Sequence, residues 1–321
     1  MKRQFIGEIS DRETVNEIYL VSEKQLRSNK NGNLYLKLRL SDRTGSAIAM
    51  LWNANEGANH LVDNGDYARV QGAAQIYNGA LQLILTRIER ADQKEIIEAD
   101  FVTLGAGDVD SYAKKLVSML RSIGDVYLRS LADCFLMDEA FMSRFNSAPA
   151  GVKNHHAYKG GLLQHVVSLM ELCRVVAPRY PELNGDLLLM GAFLHDMGKT
   201  VELSYERELG YTDEGQLLGH VVIAIGMLEE KLRACEKLTQ ETFPSELALR
   251  LKHMILSHHG EYEFGSPKLP MTLEAIALHY LDNLDAKIFS VTQIMRDDPN
   301  KESAWTPFQP SLSRMLFKGH R

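Results

Sequence analysis

The spacing of the apolar residues changes near residue 105, and this change limits the folds open to the chain. Leucines alternate with polar residues from Leu34 to Leu40, which predicts a strand with one buried face. From Ser111 onward, apolar residues recur at steps of three and four, as in amphipathic helices. A chain of 321 residues has room for two domains. We therefore expect a multidomain protein with an N-terminal all-β domain and a C-terminal all-α domain.

Short strands and tight turns account for the first hundred residues. The residues at 42–45 form a predicted turn, and Asn78-Gly79 is a strong hairpin signal because both residues accept a positive φ. Strands are predicted at 34–40, 47–52, 67–76 and 80–88. About five such strands favour a small closed barrel, with a fragment of a sandwich as the alternative.

The remainder of the chain is predicted to be helical. We expect a barrel domain at 1–100, a linker at 101–110 that contains Gly105-Ala106-Gly107, and a helical domain at 111–321 with its core at about 150–296. Helices are predicted at 112–120, 126–135, 139–145, 161–177, 185–195, 219–235, 244–259 and 273–295. The tail from Arg296 mixes proline, serine and charged residues and is not assigned.

Charge and composition exclude some classes of protein. The net charge is −6, so any binding of nucleic acid must depend on a local patch or on metal ions. Three scattered cysteines without a CxxC pair are typical of a reducing cytosol. No apolar run approaches the roughly 20 residues that span a bilayer, and none follows Met1 as in a signal peptide. We expect a cytoplasmic protein with no membrane partner.

Five predicted helices each carry an imidazole or a carboxylate. These residues are His165, His195 with Asp196, His220, His258 with His259, and Asp282. Both groups are suitable ligands for Mn, Fe, Co, Ni or Zn, and an aspartate in an apolar pattern needs a cation or hydrogen bonds to offset its desolvation. Asp196 could bridge two ions, which would activate water and hold phosphate oxygens. The alternative is a set of unrelated core residues. The sequence predicts one or two divalent ions and does not identify the metal.

The surroundings of these residues resemble those in the YhaM-type 3′–5′ exoribonucleases of the HD superfamily. His165, His195-Asp196 and Asp282 match the H…HD…D signature of that superfamily. The similar stretches are 155–165 (HHAYKGGLLQH), 191–199 (GAFLHDMGK) and 256–261 (LSHHGE), the last followed by Gly265-Ser266-Pro267 and Pro270. Residues 38–45, followed by Trp52, resemble part of the N-terminal OB-fold of the same family.

The resemblance implies an N-terminal OB-like barrel joined to a C-terminal all-α HD-domain helical bundle. It also implies that one metal is held by His165, His195, Asp196 and Asp282. A second would be held by His220 and by either His258 or His259, with Asp196 bridging. Asp282 is preferred to Asp285, three residues later, because the last aspartate of the family has the earlier position.

Two further groups are implied near this centre. Lys199 follows Asp196 by three residues and would stabilise charge on the phosphoryl oxygens, which makes Asp196 and Lys199 the expected catalytic residues. A solvated lysine at a helix end is the alternative. The resemblance places His155 and His156 at the rim of the site, in contact with the substrate; an exposed loop pair is the alternative.

The predicted barrel suggests how the substrate is held. Tyr35, Lys37 and Arg39 alternate with the leucines of the first strand and should face outward. An aromatic ring flanked by cations can stack on a base and contact phosphates of a single strand. Other basic residues nearby could extend this patch, namely Lys24, Arg27 and Lys30. An ordinary polar strand face is the alternative.

These features favour a metal-dependent phosphodiesterase that degrades single-stranded RNA, with single-stranded DNA as the alternative substrate. Attack from the 3′ end is implied by the resemblance. One rival is an HD-domain phosphohydrolase of nucleotides or cyclic dinucleotides, which would not need a separate binding module. Another is a binding protein with a degenerate HD half, against which the full set of candidate ligands argues. Assembly into a homo-oligomer is also expected.

Overall fold

The computed structural model of the chain describes residues 3–54, 56–77, 79–101, 104–151, 158–205, 210–298, 300 and 302–319. The chain forms two compact units. One contains Met1–Thr103 together with Ser290–Arg321, and the other contains Leu104–Tyr205 and Gly210–Phe289. Each unit is described by itself.

The first unit is built on a closed five-stranded barrel. Its strands are β1 (Thr14–Ser28), β2 (Leu34–Asp42), β3 (Gly45–Leu51), β4 (Tyr67–Tyr77) and β5 (Ala80–Arg90). They pair in the closed order β1-β2-β3-β5-β4, with β3 and β5 parallel and the other pairs antiparallel. A short helix, α1 (Glu56–Asn59), lies between β3 and β4. The predicted N-terminal OB-like barrel is confirmed.

The leucines of β2 fill the barrel as their alternation predicts. Leu36, Leu38 and Leu40 are fully buried, and the residues between them are partly exposed on the other face. The sequence analysis did not locate β1, the longest strand. Its alternation is interrupted by a register shift between Ser22 and Gln25, where Glu23 has a positive φ of 51°.

The second unit is helical, and the predicted all-α domain is confirmed. Its helices are α2 (Ala106–Arg121), α3 (Val126–Leu136), α4 (Glu139–Ser147), α5 (Gly161–Val176), α6 (Gly185–Leu194), α7 (Lys199–Glu202), α8 (Asp213–Thr239), α9 (Ser245–Ser257) and α10 (Leu273–Asp297). The two-residue strands β6 (Leu203–Ser204) and β7 (Gly210–Tyr211) pair between α7 and α8. Helix α8 changes direction at Gly219, where φ is 73°. None of the helices that the structure describes is long and apolar enough to cross a membrane.

The core of the helical unit surrounds α6. Residues 187–194 are all buried, so this helix is covered on every side. It begins at Asn184, whose side chain accepts a hydrogen bond from the Leu187 N–H at 3.0 Å. Three phenylalanines of α3 and α4 pack around Phe193: Phe135, Phe141 and Phe145. A helix held this rigidly fixes the position of the His195-Asp196 pair that follows it.

The tail is part of the barrel unit, although the sequence analysis grouped it with the helical domain. Trp305 pairs with Phe317, and Gln309 with Arg314, across a hairpin-like loop. Pro307 lies against the β4–β5 turn, so close that a Cβ on Gly79 would stand 2.8 Å from Pro307 Cγ. Contacts of this kind leave no periodic pattern in the sequence, which is why the tail could not be assigned.

Candidate metal centre

The first group of candidate ligands is centred on His165, which is fully buried in the second turn of α5. Its Nε2 lies 3.1 Å from Asp282 Oδ1 and 3.4 Å from His195 Nε2. Its Nδ1 lies 3.1 Å from Asp285 Oδ2, and the other oxygen of Asp285 accepts a hydrogen bond from Ser168 Oγ at 2.6 Å. Asp285 therefore orients the ring, while Nε2 faces Asp282 and His195.

Two of the imidazoles follow the last residue of a helix in the same way. His195 follows α6, and its Nδ1 lies 2.8 Å from the Ala192 carbonyl oxygen. His258 follows α9, and its Nδ1 lies 2.8 Å from the Ile255 carbonyl oxygen. Because a carbonyl oxygen only accepts, Nδ1 is the donor in each ring. The Nε2 lone pair of the neutral ring is then available to bind a metal ion.

Asp196 lies between two groups of imidazoles. Its Oδ2 is 3.4 Å from His195 Nε2 and 3.9 Å from His165 Nε2. Its Oδ1 is 3.6 Å from His220 Nε2 and 3.7 Å from His258 Nε2. Each carboxylate oxygen thus faces a different group, which is the arrangement required of a bridging ligand.

His220 is positioned by its neighbours on α7. Glu202 Oε1 accepts a hydrogen bond from the His220 backbone N–H at 3.0 Å and lies 3.2 Å from His220 Nδ1. Gly198 makes the approach possible, since a Cβ there would stand only 2.0 Å from the His220 carbonyl oxygen. The His220 ring is therefore fixed with Nε2 toward Asp196.

His258 and His259 both belong to the second group, whereas the sequence analysis left open which of them faces the site. The nearest ring nitrogens of His220, His258 and His259 lie within 4.8 Å of one another, as do the ligand atoms of His165, His195 and Asp282. Gly260, with a φ of 80°, allows the chain to turn after them, and a Cβ there would stand 2.0 Å from the ring of His279. The His279 ring in turn contacts the His258 carbonyl oxygen through Nδ1 at 2.8 Å.

Four polar atoms between these groups are buried without a hydrogen-bond partner among the described residues. They are Asp196 Oδ1, His220 Nε2, His258 Nε2 and His259 Nδ1. Leaving such atoms unpaired costs about 1–3 kcal/mol each, so they indicate an absent partner. Nitrogen and carboxylate donors together are suited to a divalent transition metal. The residues present therefore fit a metal ion.

The electrostatics differ between the two groups. Burial lowers the pKa of His165, but the hydrogen bonds with Asp282 and Asp285 raise it to about 9. Burial raises the pKa of Asp196, but Lys199 and His195 outweigh this effect and hold it well below its ordinary value. Burial, together with the neighbouring imidazoles, lowers the pKa values of His258 and His259. The lowered pKa values favour the neutral imidazole at His258 and His259, which is the form that binds metals.

Lys199 lies at the edge of the centre. Its Nζ stands 2.6 Å from Asp196 Oδ2, and about 14% of its side chain is exposed, so it is not a freely solvated lysine. The open side of the centre is formed by partly exposed side chains, namely Lys199, His220, His259 and Asp282. A phosphate that approached from solvent would meet this side first.

The hydrogen bond from Glu202 leads to a testable prediction. If His220 is a metal ligand, Glu202→Ala should weaken metal binding about 10- to 100-fold, because the ring loses the group that orients it. Glu202→Gln should lose less, since its amide oxygen can still accept. Titration of the metal-free protein with Mn²⁺ against a chelating indicator would measure both. An unchanged affinity in the alanine variant would show that Glu202 does not position His220.

The predicted nucleic-acid residues on β2 are placed as follows. The rings of Tyr35 and Trp52 lie 5.1 Å apart between centroids, and Trp52 is 47% exposed. Lys37 is outward and partly exposed. Arg39 is also outward, but its guanidinium is bound by Glu23 at 3.2 Å and by Ser46 Oγ at 3.0 Å. Part of its charge is therefore already compensated within the barrel.

The basic residues that were predicted to extend this patch differ in how far their charges are already bound within the barrel. Lys24 does not extend the patch, since its Nζ is held by Asp63 at 2.9 Å and by the Asn59 and Val62 carbonyl oxygens. Arg27 is exposed and lies beside Tyr35 in the pairing of β1 with β2. His155 and His156 lie outside the described residues.

Sequence reasoning missed the residues that orient the ligands. Glu202, Asp285 and His279 contact ligand atoms or ligand backbone, but only Asp285 was considered, as a rival ligand. The signal available was weak. Glu202 follows Lys199 by three residues, and Asp285 follows Asp282 by three, so each lies one helical turn from a candidate site residue.

Comparison with known families places these residues inside recognised domains. The HD domain model matches residues 162–287, and the OB-fold nucleic acid binding domain model matches residues 6–91. Every candidate metal ligand from His165 to Asp282 falls within the first match. The described barrel coincides with the second.

Three similar proteins carry the name 3′-5′ exoribonuclease YhaM. The protein of Geobacillus sp. is 36% identical over 259 residues, which cover 80% of this chain and 78% of the relative. That of Bacillus velezensis is 35% identical over 284 residues, 88% of each chain. That of Bacillus subtilis is 36% identical over 277 residues, 86% of each chain. The similarity therefore extends over both domains.

Proposed function

The chain belongs to the YhaM family of 3′–5′ exoribonucleases, and we propose that it hydrolyses single-stranded RNA from the 3′ end at a two-ion centre. It is a hydrolase of phosphodiester bonds with an HD domain and depends on a divalent metal. The observation that carries the two-ion proposal is the position of Asp196. Its two oxygens face separate groups of imidazoles, and buried ring nitrogens of the second group have no hydrogen-bond partner among the residues that the structure describes.

We assign the ligands in two sets that share Asp196. The first set is His165, His195, Asp196 and Asp282, and the second is Asp196, His220, His258 and His259. When bound, the ions would supply Lewis-acid activation of water and would neutralise charge on the phosphate. Mn, Fe, Co, Ni and Zn all accept this donor set, and manganese is the ion we propose to test first.

The side chains of this chain have separate tasks around the ions. Asp285 and Glu202 hold the rings of His165 and His220 in the orientation that presents Nε2. The carbonyl oxygens of Ala192 and Ile255 do the same for His195 and His258. Lys199 places a cation beside Asp196 on the open side, where it would contact a phosphoryl oxygen and stabilise the charge that develops there.

We propose that the barrel binds the single strand upstream of the cleaved end. The exposed Trp52 and the partly exposed Tyr35 form an aromatic pair on which a base can stack, with Lys37 and Arg27 as nearby cations for phosphates. The predicted roles of Arg39, His155 and His156 in substrate contact also remain proposals.

We further propose a cytoplasmic location, which agrees with three free cysteines, and assembly into a homo-oligomer.

A time course on 5′-labelled single-stranded RNA with Mn²⁺ tests the proposed reaction. Products should shorten progressively from the 3′ end, because the label stays on the shrinking fragment. DNA of the same sequence, run beside it, measures the preference for ribose. Addition of EDTA should stop the reaction, and Mn²⁺ in excess should restore it.

Two outcomes would contradict the proposal. Release of the label as a mononucleotide at the earliest time points would indicate attack from the 5′ end. Intact RNA, in the presence of folded and metal-loaded protein that hydrolyses nucleotides or cyclic dinucleotides, would favour a phosphohydrolase of small substrates instead.

A further inference from the structure

Both tryptophans of the chain lie half exposed on the barrel unit. Trp52 is 47% exposed and Trp305 is 49% exposed, and the chain has no others. Each lies against a second aromatic ring, Trp52 against Tyr35 and Trp305 against Phe317, with centroids 5.1 Å and 5.0 Å apart. Because a buried tryptophan contributes strongly to a core, keeping both in solvent indicates a use at the surface.

The Trp305 pair is held in place by a built structure. Backbone pairing joins Trp305 to Phe317 across the tail, and the Thr306 N–H donates to the Leu316 carbonyl oxygen at 2.9 Å. Lys318 closes the loop, since its Nζ stands 2.5 Å from Asp298 Oδ2, and Asp298 is buried. The two rings are thus presented together by a fixed hairpin.

The charge of the tail indicates an anionic partner. From Arg296 to Arg321 the tail contains five lysines and arginines against three acidic residues, whereas the whole chain has a net charge of −6. Lys318 is paired with Asp298, but Arg314 is exposed on the same hairpin, opposite Gln309. Exposed aromatic rings beside cations are what single-stranded nucleic acid requires.

The tail also continues the barrel. It belongs to the same compact unit, and Pro307 packs against the turn between β4 and β5. The loops and strand faces of OB barrels bind oligonucleotides, so a strand that lies on the barrel can extend onto this hairpin.

We propose that Trp305 and Phe317 form a second base-stacking platform for single-stranded RNA, separate from Tyr35 and Trp52. The proposal rests on the proposed function only for the identity of the ligand. The platform lengthens the segment of RNA that the enzyme holds and thereby favours long substrates over short ones. A contact between two copies of the chain is the competing use of such a surface. It would change the molar mass of the protein in solution and not its affinity for RNA.

Trp52→Phe gives a direct test because it leaves Trp305 as the sole tryptophan. The metal-free full chain is titrated with an oligoadenylate of about 20 nucleotides, longer than the roughly 4 to 16 that one OB-fold spans. Stacking should quench the emission of Trp305 in a saturable way. Unchanged emission, while anisotropy of a labelled oligomer shows that RNA is bound, would overturn the proposal.

Substitutions of Trp305 itself measure the contribution to affinity. Trp305→Ala should weaken binding of the same oligomer about 5- to 150-fold, the range for loss of one stacked base. Trp305→Phe should retain most of the affinity, which separates stacking from damage to the hairpin. Tyr180→Ala is the matched control, because Tyr180 is 57% exposed on the helical unit and should have no effect.

The outcomes separate this proposal from the proposed function. Wild-type protein that binds no RNA would contradict both. Normal hydrolysis with unaltered affinity in Trp305→Ala would contradict the platform alone. A lower molar mass of Trp305→Ala in light scattering, with unaltered RNA affinity, would also overturn it and assign the surface to contacts between copies.

Discussion

Asp196→Asn should reduce RNA hydrolysis about 1,000-fold or more, because loss of a group worth about 4 kcal/mol in the transition state has that effect. The amide keeps the size of the carboxylate but loses its charge. Oδ2 faces His165 and His195, while Oδ1 faces His220 and His258, so both ligand sets are weakened at once. No other described side chain contacts both sets through two oxygens.

Metal content distinguishes this explanation from a simple loss of a catalytic group. The number of bound Mn²⁺ ions should fall from about two per chain to about one or fewer, as measured by mass spectrometry of the desalted protein. Asp133→Asn on α3 is a suitable control, since Asp133 lies outside both ligand groups and should change neither quantity. A fully active variant, or an inactive one that retains both ions, would contradict the bridging role.

The residue types of the centre could be predicted from the sequence, because their chemistry does not depend on the fold. His195-Asp196 and His258-His259 stand at helix ends, where periodicity itself predicts that the helix stops. The residues that complete the geometry could not be identified in this way. Glu202 acts through the close approach of α7 to α8, which depends on Gly198 packing against the backbone of His220. Tertiary contacts of this kind leave no pattern in a single sequence.

In the fold, too, some elements could be predicted from the sequence and others depend on tertiary contacts. The barrel strand β2 follows from a strict alternation of leucines, and α5 follows from its apolar steps. The strand β1 was missed because a bulge at Glu23 interrupts the alternation, and the tail was left unassigned because its hairpin depends on Trp305 meeting Phe317. Local patterns therefore predict the regular elements, and the surfaces built by irregular segments require the structure.

Gly198→Ala should disable the centre without changing any candidate ligand. A Cβ at this position would stand 2.0 Å from the His220 carbonyl oxygen and 3.0 Å from the Ala224 backbone N, and neither atom can move without displacing α8. The φ of Gly198 is −63°, which alanine adopts readily, so the effect is purely steric. Overpacking of this kind costs about 1–3 kcal/mol or more. We expect a lower melting temperature and weaker binding of the ion that we propose His220 to hold.

The matched control is Gly226→Ala in the interior of α8, where a Cβ would meet no other atom within 4 Å. That change should raise stability by about 0.5–1 kcal/mol, because alanine is the better helix former. Thermal melts of the two variants should therefore shift in opposite directions, and Mn²⁺ titration should show weaker binding in Gly198→Ala and unchanged binding in Gly226→Ala. Equal stability and metal affinity in both would show that His220 does not depend on the close contact at Gly198. Weaker Mn²⁺ binding in Gly198→Ala alone would show that this contact positions the second ligand set.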